Sequence, residues 1–516
     1  MTMLSRVLGL VRDVVFARVI GADAFADAFF VAFKIPNFLR RLFAEGAFAQ
    51  AFVPVLAEYR EKGGAAAVRE LTDRVAGALG SVLILLTVVA VAGAPVITAV
   101  FAPGFWGDGE KFQAASDMIR ITFPYLLFIS LTGFAGGILN SFDRFAVPAF
   151  SPVWLNLCLI GAALVATPWF ERPAYALAWG VFAAGVIQWL FHLPFLAAIG
   201  QMPRPTLDWQ HAGVRKILRL MAPAIFGVSV SQINLLLDTV IASFLPTGSV
   251  SWLYYSDRLA ELPLGVFAIA AATVILPSLS RQHASASVEI FNQTLHWALR
   301  FVVVIAVPAS VALLVIAEPV LVALFFNGDE MGHREIAMSA WSLRAYAIGI
   351  VAFMLIKILA PGFYARQDTR TPVRIGIIAM VANMIMNLIF VVPLHFYLGL
   401  GHVGLALATS LAAFVNAGLL YRGLRREGVL HYRLRVQPAL AWRRFLACIG
   451  IANLAMTLVL FAGLARWDWF VLDVAGRAGA ILTLSTAGFV AYCVVLWLCG
   501  IRPRHFRQSA TAAGGR

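Results

Sequence analysis

Of 516 residues, 61% are hydrophobic and 13% charged, against about 25% charged in an ordinary soluble domain. The composition excludes a large soluble domain and describes an all-α polytopic membrane protein. The formal net charge of +14 does not imply nucleic acid as a partner, because the bases are spread over loops and helix ends rather than gathered on a hydrophilic domain.

At about 20 apolar residues per crossing, runs bounded by glycine, proline and charge predict about fourteen transmembrane helices. They cover 2–22, 26–58, 75–102, 114–140, 147–168, 174–199, 213–245, 251–280, 291–326, 338–365, 373–396, 401–424, 441–465 and 472–500. In the first, Arg6 and Asp13 fall about 20° apart on a helical wheel and Arg12 about 120° from Arg6. Gly9 between them permits a bend. An ionised side chain at the bilayer centre costs roughly 2.5–3.5 kcal/mol on insertion scales, so this surplus of cations points to a wet cavity for an anionic substrate. The competing reading pairs Arg6 or Arg12 with Asp13 or another acid as structural glue.

The second span carries Asp27, Lys34, Asn37, Arg40, Arg41 and Glu45. Arg41 and Glu45 stand at i,i+4 and can pair along the helix, which leaves Arg40 as the cavity candidate. Pro36 is expected to break or kink the start of this helix. Asp238 lies in the seventh span, and Asn383 and Asn387 stand at i,i+4 in the eleventh; together they could hold a small hard cation such as Na⁺, or the amides could serve helix packing. The eighth span opens with Ser251-Trp-Leu-Tyr-Tyr-Ser-Asp257-Arg258. Arg258 either joins Arg6, Arg12 and Arg40 around a phosphate, which a guanidinium binds in bidentate fashion, or pairs with Asp257 or Glu261.

Loop charges alternate in sign along the chain. Arg60, Lys62, Arg69 and Arg74, then Arg144, Arg204, Arg281, Arg366, Arg422 and their neighbours mark one side, and Asp23, Asp108, Glu110, Glu171, Asp329, Glu330 and Asp468 the other. The positive-inside rule makes the first side, and both termini, cytoplasmic. The sequence also repeats at an offset of about 224. APVITAVF from Ala94 answers EPVLVALF from Glu318, Arg120 answers Arg344, and Pro148 answers Pro372. The expected organisation is therefore two six-helix repeats of parallel topology around a central cavity, 1–200 and 201–428. Two extra C-terminal helices and a basic cytoplasmic tail follow over 429–516.

No phosphate-binding glycine loop, HExxH, CxxC or G-x-S-x-G is present, so no enzyme activity and no cofactor beyond a candidate Na⁺ is expected. Cys158, Cys448, Cys493 and Cys499 show no metal or disulfide spacing. A drug/cation antiporter of the same architecture would need an acidic cavity, a polyprenyl-phosphate enzyme would need clustered acids for metal, and a scaffold would need no buried arginines. A polysaccharide-repeat flippase remains a rival of the same architecture.

The stretches Ser5–Gly9 with Arg12-Asp13, Asp27–Lys34, Pro36–Phe48, Ser251–Arg258 and Ala360–Asp368 resemble the MurJ/MviN lipid II flippases of the MOP exporter superfamily. The resemblance implies a bacterial inner-membrane protein that moves the undecaprenyl-diphosphate-linked peptidoglycan precursor from the cytoplasmic to the periplasmic leaflet by alternating access. It implies that Arg6, Arg12, Arg40 and Arg258 bind substrate. It places Asp13, Asp27, Asn37, Glu45, Ser251 and Asp257 at gates and portals, and Asp238, Asn383 and Asn387 at a sodium site. The extra helices would form a groove for the lipid tail. Partners would be the lipid-linked precursor, membrane lipids and the cell-wall synthesis machinery.

Overall fold

The computed structural model describes residues 2–41, 48–265, 288–430, 441–502 and 506. Among them there are α-helices and short 3₁₀ and π turns but no strand. The chain divides into two compact units, Met1–Ser251 and Trp252–Arg516.

The first unit holds α1 (Thr2–Val19), α2 (Ala24–Leu39), α3 (Phe48–Ala92), α4 (Ala94–Phe101), α5 (Gly109–Thr122), α6 (Tyr125–Ser141), α7 (Ala146–Gly161), α8 (Pro173–Ala198) and α9 (Ala212–Ser243). It ends in the first turn of α10 (Ser249–Pro263), whose remaining turns belong to the second unit with α11 (Val288–Phe325), α12 (His333–Tyr364), α13 (Arg370–Leu398), α14 (Gly401–Arg426), α15 (Trp442–Leu464) and α16 (Val474–Leu498).

Ten helical segments among the described residues are long and apolar enough to cross a membrane, as a multi-pass protein requires. They coincide with the expected third to sixth and ninth to fourteenth spans. The other four expected spans fall on α1, α2, α9 and α10 as far as they are described, with 42–47 of the second and 266–280 of the eighth lying outside the described residues. Helix ends also recur at the sequence offset. Phe101 ends α4 and Phe325 ends α11, Gly109 begins α5 and His333 begins α12, and Ala146 and Arg370 begin α7 and α13.

Helix α1 runs through Gly9 as one helix. One local expectation is corrected. Pro36 sits in the last turn of α2 rather than at the start of a long span. The helix begins instead at Asp23, whose carboxylate accepts from Ala26 N at 2.7 Å and so satisfies one of the orphan amides of the first turn. Proline lacks only its own amide hydrogen, and near a helix end its clash with the preceding turn is readily absorbed.

Close backbone approach fixes the remaining frame of the first unit. Phe16, Phe29, Phe30 and Phe33 pack α1 on α2, with Phe16 and Phe29 edge-to-face at 5.6 Å and Phe29 and Phe33 stacked at 5.7 Å. Gly64 takes φ +62 within α3, a conformation that only glycine adopts without strain, and marks a kink there. The segment before α9 lies on α3, with Thr206 N donating to Asp73 O at 3.0 Å and Arg204 N to the Asp73 carboxylate at 2.6 Å. In the second unit Phe291, Leu295, Ile350, Ile358, Phe363 and Leu420 join α11, α12 and α14 in one apolar core.

Candidate functional site

Helix α1 presents Arg12 and Asp13 side by side, 7% and 3% exposed. The long arginine arches back so that Nε and Nη2 both donate to Asp13 Oδ1, at 2.9 and 2.7 Å. Its Nη1 donates to Asn156 Oδ1 of α7 at 3.1 Å, and the Asn156 amide in turn donates to Ser5 O at 3.0 Å. The face shared by Arg6 and Asp13 on a wheel is therefore not what decides the pairing seen here; reach does. Arg6 is half-buried on the same helix. On α2 the Asn37 amide donates back to Phe33 O at 2.9 Å, and Arg40, also half-buried, donates to Asn37 Oδ1 at 3.4 Å. Arg41 is exposed, and Glu45 lies outside the described residues.

Asp27 is a buried acid on α2. It is 1% exposed, and its two oxygens collect four donors. Oδ2 accepts from Lys111 Nζ of α5 and from Gly248 N, each at 2.8 Å. Oδ1 accepts from Ser251 N at 2.9 Å and Ser251 Oγ at 2.7 Å. Lys111 is itself 4% exposed and lies 4.3 Å from the centroid of the Phe105 ring. A carboxylate this deeply buried is tolerable only when paired and hydrogen-bonded, and here the condition is met from two chain segments, α5 and the start of α10. The α9–α10 connection is locked from the other side as well, since Gly104 N donates to Ser243 Oγ at 3.0 Å.

In the second unit Arg258 donates to Glu261 Oε2 at 3.1 Å, one turn along α10, and lies 5.1 Å from the Tyr254 ring. Asp257 beside it is half-buried. Asn387 donates to Asn383 Oδ1 at 3.1 Å, and Asn383 donates to Thr409 of α14 at 3.4 Å. Asp238 is half-buried on α9 in the first unit. The amides thus form a ladder between α13 and α14, and among the described residues no three of His, Cys, Asp and Glu cluster as metal ligands.

The lipid II flippase MurJ family profile matches residues 16–476. Curated relatives include a probable lipid II flippase MurJ of Vibrio cholerae, 49% identical over 99% of this chain and 96% of its own, and one of Haemophilus influenzae, 46% identical over 98% and 99%. The chain belongs to the MurJ family. A solved structure titled lipid II flippase MurJ, inward closed conformation, superposes with a TM-score of 0.78 at 25% identity, covering 96% of each chain. An inward-facing MATE-family multidrug transporter of the MOP superfamily shares the fold, with a TM-score of 0.67 at 16% identity over 82% of this chain and 95% of that one.

Within this MurJ-family chain, Lys111 and Asn156 complete the charged sites, and neither stands out in the sequence as a site residue. Lys111 does carry a usable signal. It stands in the first turn of α5, where the helix dipole disfavours a cation, so an anionic partner from elsewhere is to be sought. Asn156 carries none, being one polar residue on an apolar helix.

Proposed function

We propose that this protein flips the undecaprenyl-diphosphate-linked peptidoglycan precursor, lipid II, from the cytoplasmic to the periplasmic leaflet of the bacterial inner membrane. It is a transporter of fourteen crossings, with both termini cytoplasmic, and works by alternating access. The observation that carries the reading is the family match across residues 16–476. In this reading Arg6, Arg12, Arg40 and Arg258 form the cationic surface that takes the diphosphate. Asp13 and Asn156 orient Arg12, as Asn37 does Arg40. A guanidinium suits a diphosphate because it stays charged and offers a planar fork of donors.

The Asp27 node is the closed gate in this account. Its carboxylate holds α2, α5 and the start of α10 together, and releasing Gly248 and Ser251 would let that end open. The expected gate and portal roles of Asp13, Asn37, Glu45 and Asp257 belong to the same proposal, as does a tail groove on the pair α15 and α16, which expose Leu454, Leu458, Phe461, Leu482 and Phe489.

The test is complementation in bacteria depleted of their own flippase, with Arg12→Ala and Arg258→Ala, scoring precursor exposure at the outer leaflet. Loss of exposure with normal membrane levels of protein is expected, and normal flipping by both variants would remove the cationic mechanism. Exchanging sodium for potassium in vesicles separates coupling through Asp238, Asn383 and Asn387 from a drive by membrane potential. Flipping that stops without sodium supports the first, and flipping that follows only the imposed potential supports the second.

A further inference from the structure

We propose that Lys111 is the resident counter-ion of Asp27, a positioning residue that keeps this carboxylate neutralised when the gate opens. The inference rests on the alternating-access reading above.

The four donors to Asp27 come from two kinds of place. Gly248 and Ser251 sit at the start of α10. Lys111 sits on α5, which packs along α2 and is fastened to it a second time by Thr122 Oγ1 donating to Ala32 O at 3.1 Å. When the α10 donors leave, a carboxylate with no other partner would face a low dielectric, and that penalty would oppose opening. The ammonium travels with α2 through α5 and removes the penalty. Its own position is held by Phe105 and by the helix start, where Asp108 accepts from Lys111 N at 3.1 Å. The Asp108 carboxylate is thus turned to the backbone and does not replace Asp27 as the partner of the ammonium.

The other charged groups around Asp27 do not substitute for Lys111. Asp23, on the turn before α2, is of like sign and adds to the need for a cation. Arg172 acts on Asp23 and pairs with Glu110 at 3.4 Å. The α10 start contributes two amides and a hydroxyl, all uncharged. A helix start is a poor place for a lysine, so its presence there needs a use beyond local stability.

The experiment places the full chain in vesicles containing lipid II and follows precursor exposure to a membrane-impermeant reagent. Wild type should flip. Lys111→Met should slow flipping at least about tenfold, equivalent to about 1.36 kcal/mol on the barrier. Lys111→Arg should retain most of the rate. The double variant Asp27→Asn/Lys111→Met should flip several-fold faster than Lys111→Met, and it keeps the test valid if the single variant does not fold. An unchanged rate in Lys111→Met, a loss in Lys111→Arg as large as in Lys111→Met, or a double variant no faster than the single overturns the assignment. A wild-type chain that fails to flip lipid II in these vesicles overturns the functional reading instead.

Discussion

Asp27 and Ser251 stand 224 residues apart, and the carboxylate of the first accepts both the backbone N–H and the hydroxyl of the second. That spacing is the offset at which the sequence and the helix ends repeat. The contact therefore joins two positions that answer one another at that offset, one as an acid and the other as a hydroxyl donor.

The node makes a graded prediction about stability. Ser251→Ala removes one of four donors and should cost about 1.5–3 kcal/mol, the range for a hydrogen bond to a charged group. Asp27→Asn strips the partner from a buried ammonium and should cost about 3–5 kcal/mol. Thermal unfolding of the purified protein in detergent checks the order; a milder effect for Asp27→Asn would mean that Lys111 finds another acceptor.

A methyl group tests the close approach next to the node. A Cβ at Gly104 would lie 2.3 Å from the Ser243 carbonyl oxygen, whereas one at Gly80 would meet nothing within 4 Å. Gly104→Ala should destabilise by about 1–3 kcal/mol through overpacking, and Gly80→Ala should be neutral or gain up to about 1 kcal/mol from helix propensity. Melting temperatures of the two variants should move in opposite directions or only the first should fall.

Two loop carboxylates give opposite pH dependences. Burial pushes the Asp23 carboxyl above its ordinary 3.8, outweighing the Ala26 amide. The folded state then holds the proton more tightly, so its contribution is full below the unfolded pKa and is lost as pH rises through the raised value. Asp23→Asn, which keeps a capping oxygen, should be more stable than wild type at neutral pH and lose that advantage in acid. Asp368 is held below 3.8 by the Thr371 hydroxyl and amide, with help from Arg370 N and Arg366. Its contribution is present above the unfolded pKa and lost as pH falls through the lowered value, so Asp368→Asn should be less stable at neutral pH and equal in acid. Melting curves at the two pH values decide both signs.

Arg477 offers a test within the second unit. It is buried at the start of α16 and donates to the carbonyls of Trp469 at 3.0 Å, Phe470 at 3.0 Å and Phe326 at 3.2 Å. Arg477→Met should cost about 3 kcal/mol, given charged donors and orphaned carbonyls, and Arg477→Lys should recover only part because an ammonium cannot reproduce the fork. Faster hydrogen exchange in the 465–473 loop is the expected readout.

Much of this is legible in the sequence because charge in a bilayer is conspicuous. Arg12, Asp13 and Asp27 announce themselves by standing in apolar helix, and all three are buried. Periodicity says which face a residue takes but not what lies across from it. Asn156 is 144 residues from Arg12, and Lys111 is 84 from Asp27; no local pattern joins such pairs. Reach also defeats the wheel, for Arg12 meets its immediate neighbour despite the angle between them. A long apolar run hides a helix boundary too, which is why the end of α2 soon after Pro36 does not show in the sequence.

The Asp27–Ser251 contact also bears on symmetry. If the 224-residue repeat came from a doubled half-length chain, two identical copies would have brought the same residue to that meeting point: two aspartates, which repel, or two serines, which bind weakly. An acid–hydroxyl match is open only to halves that differ. Asp27→Ser or Ser251→Asp would restore the symmetric pair.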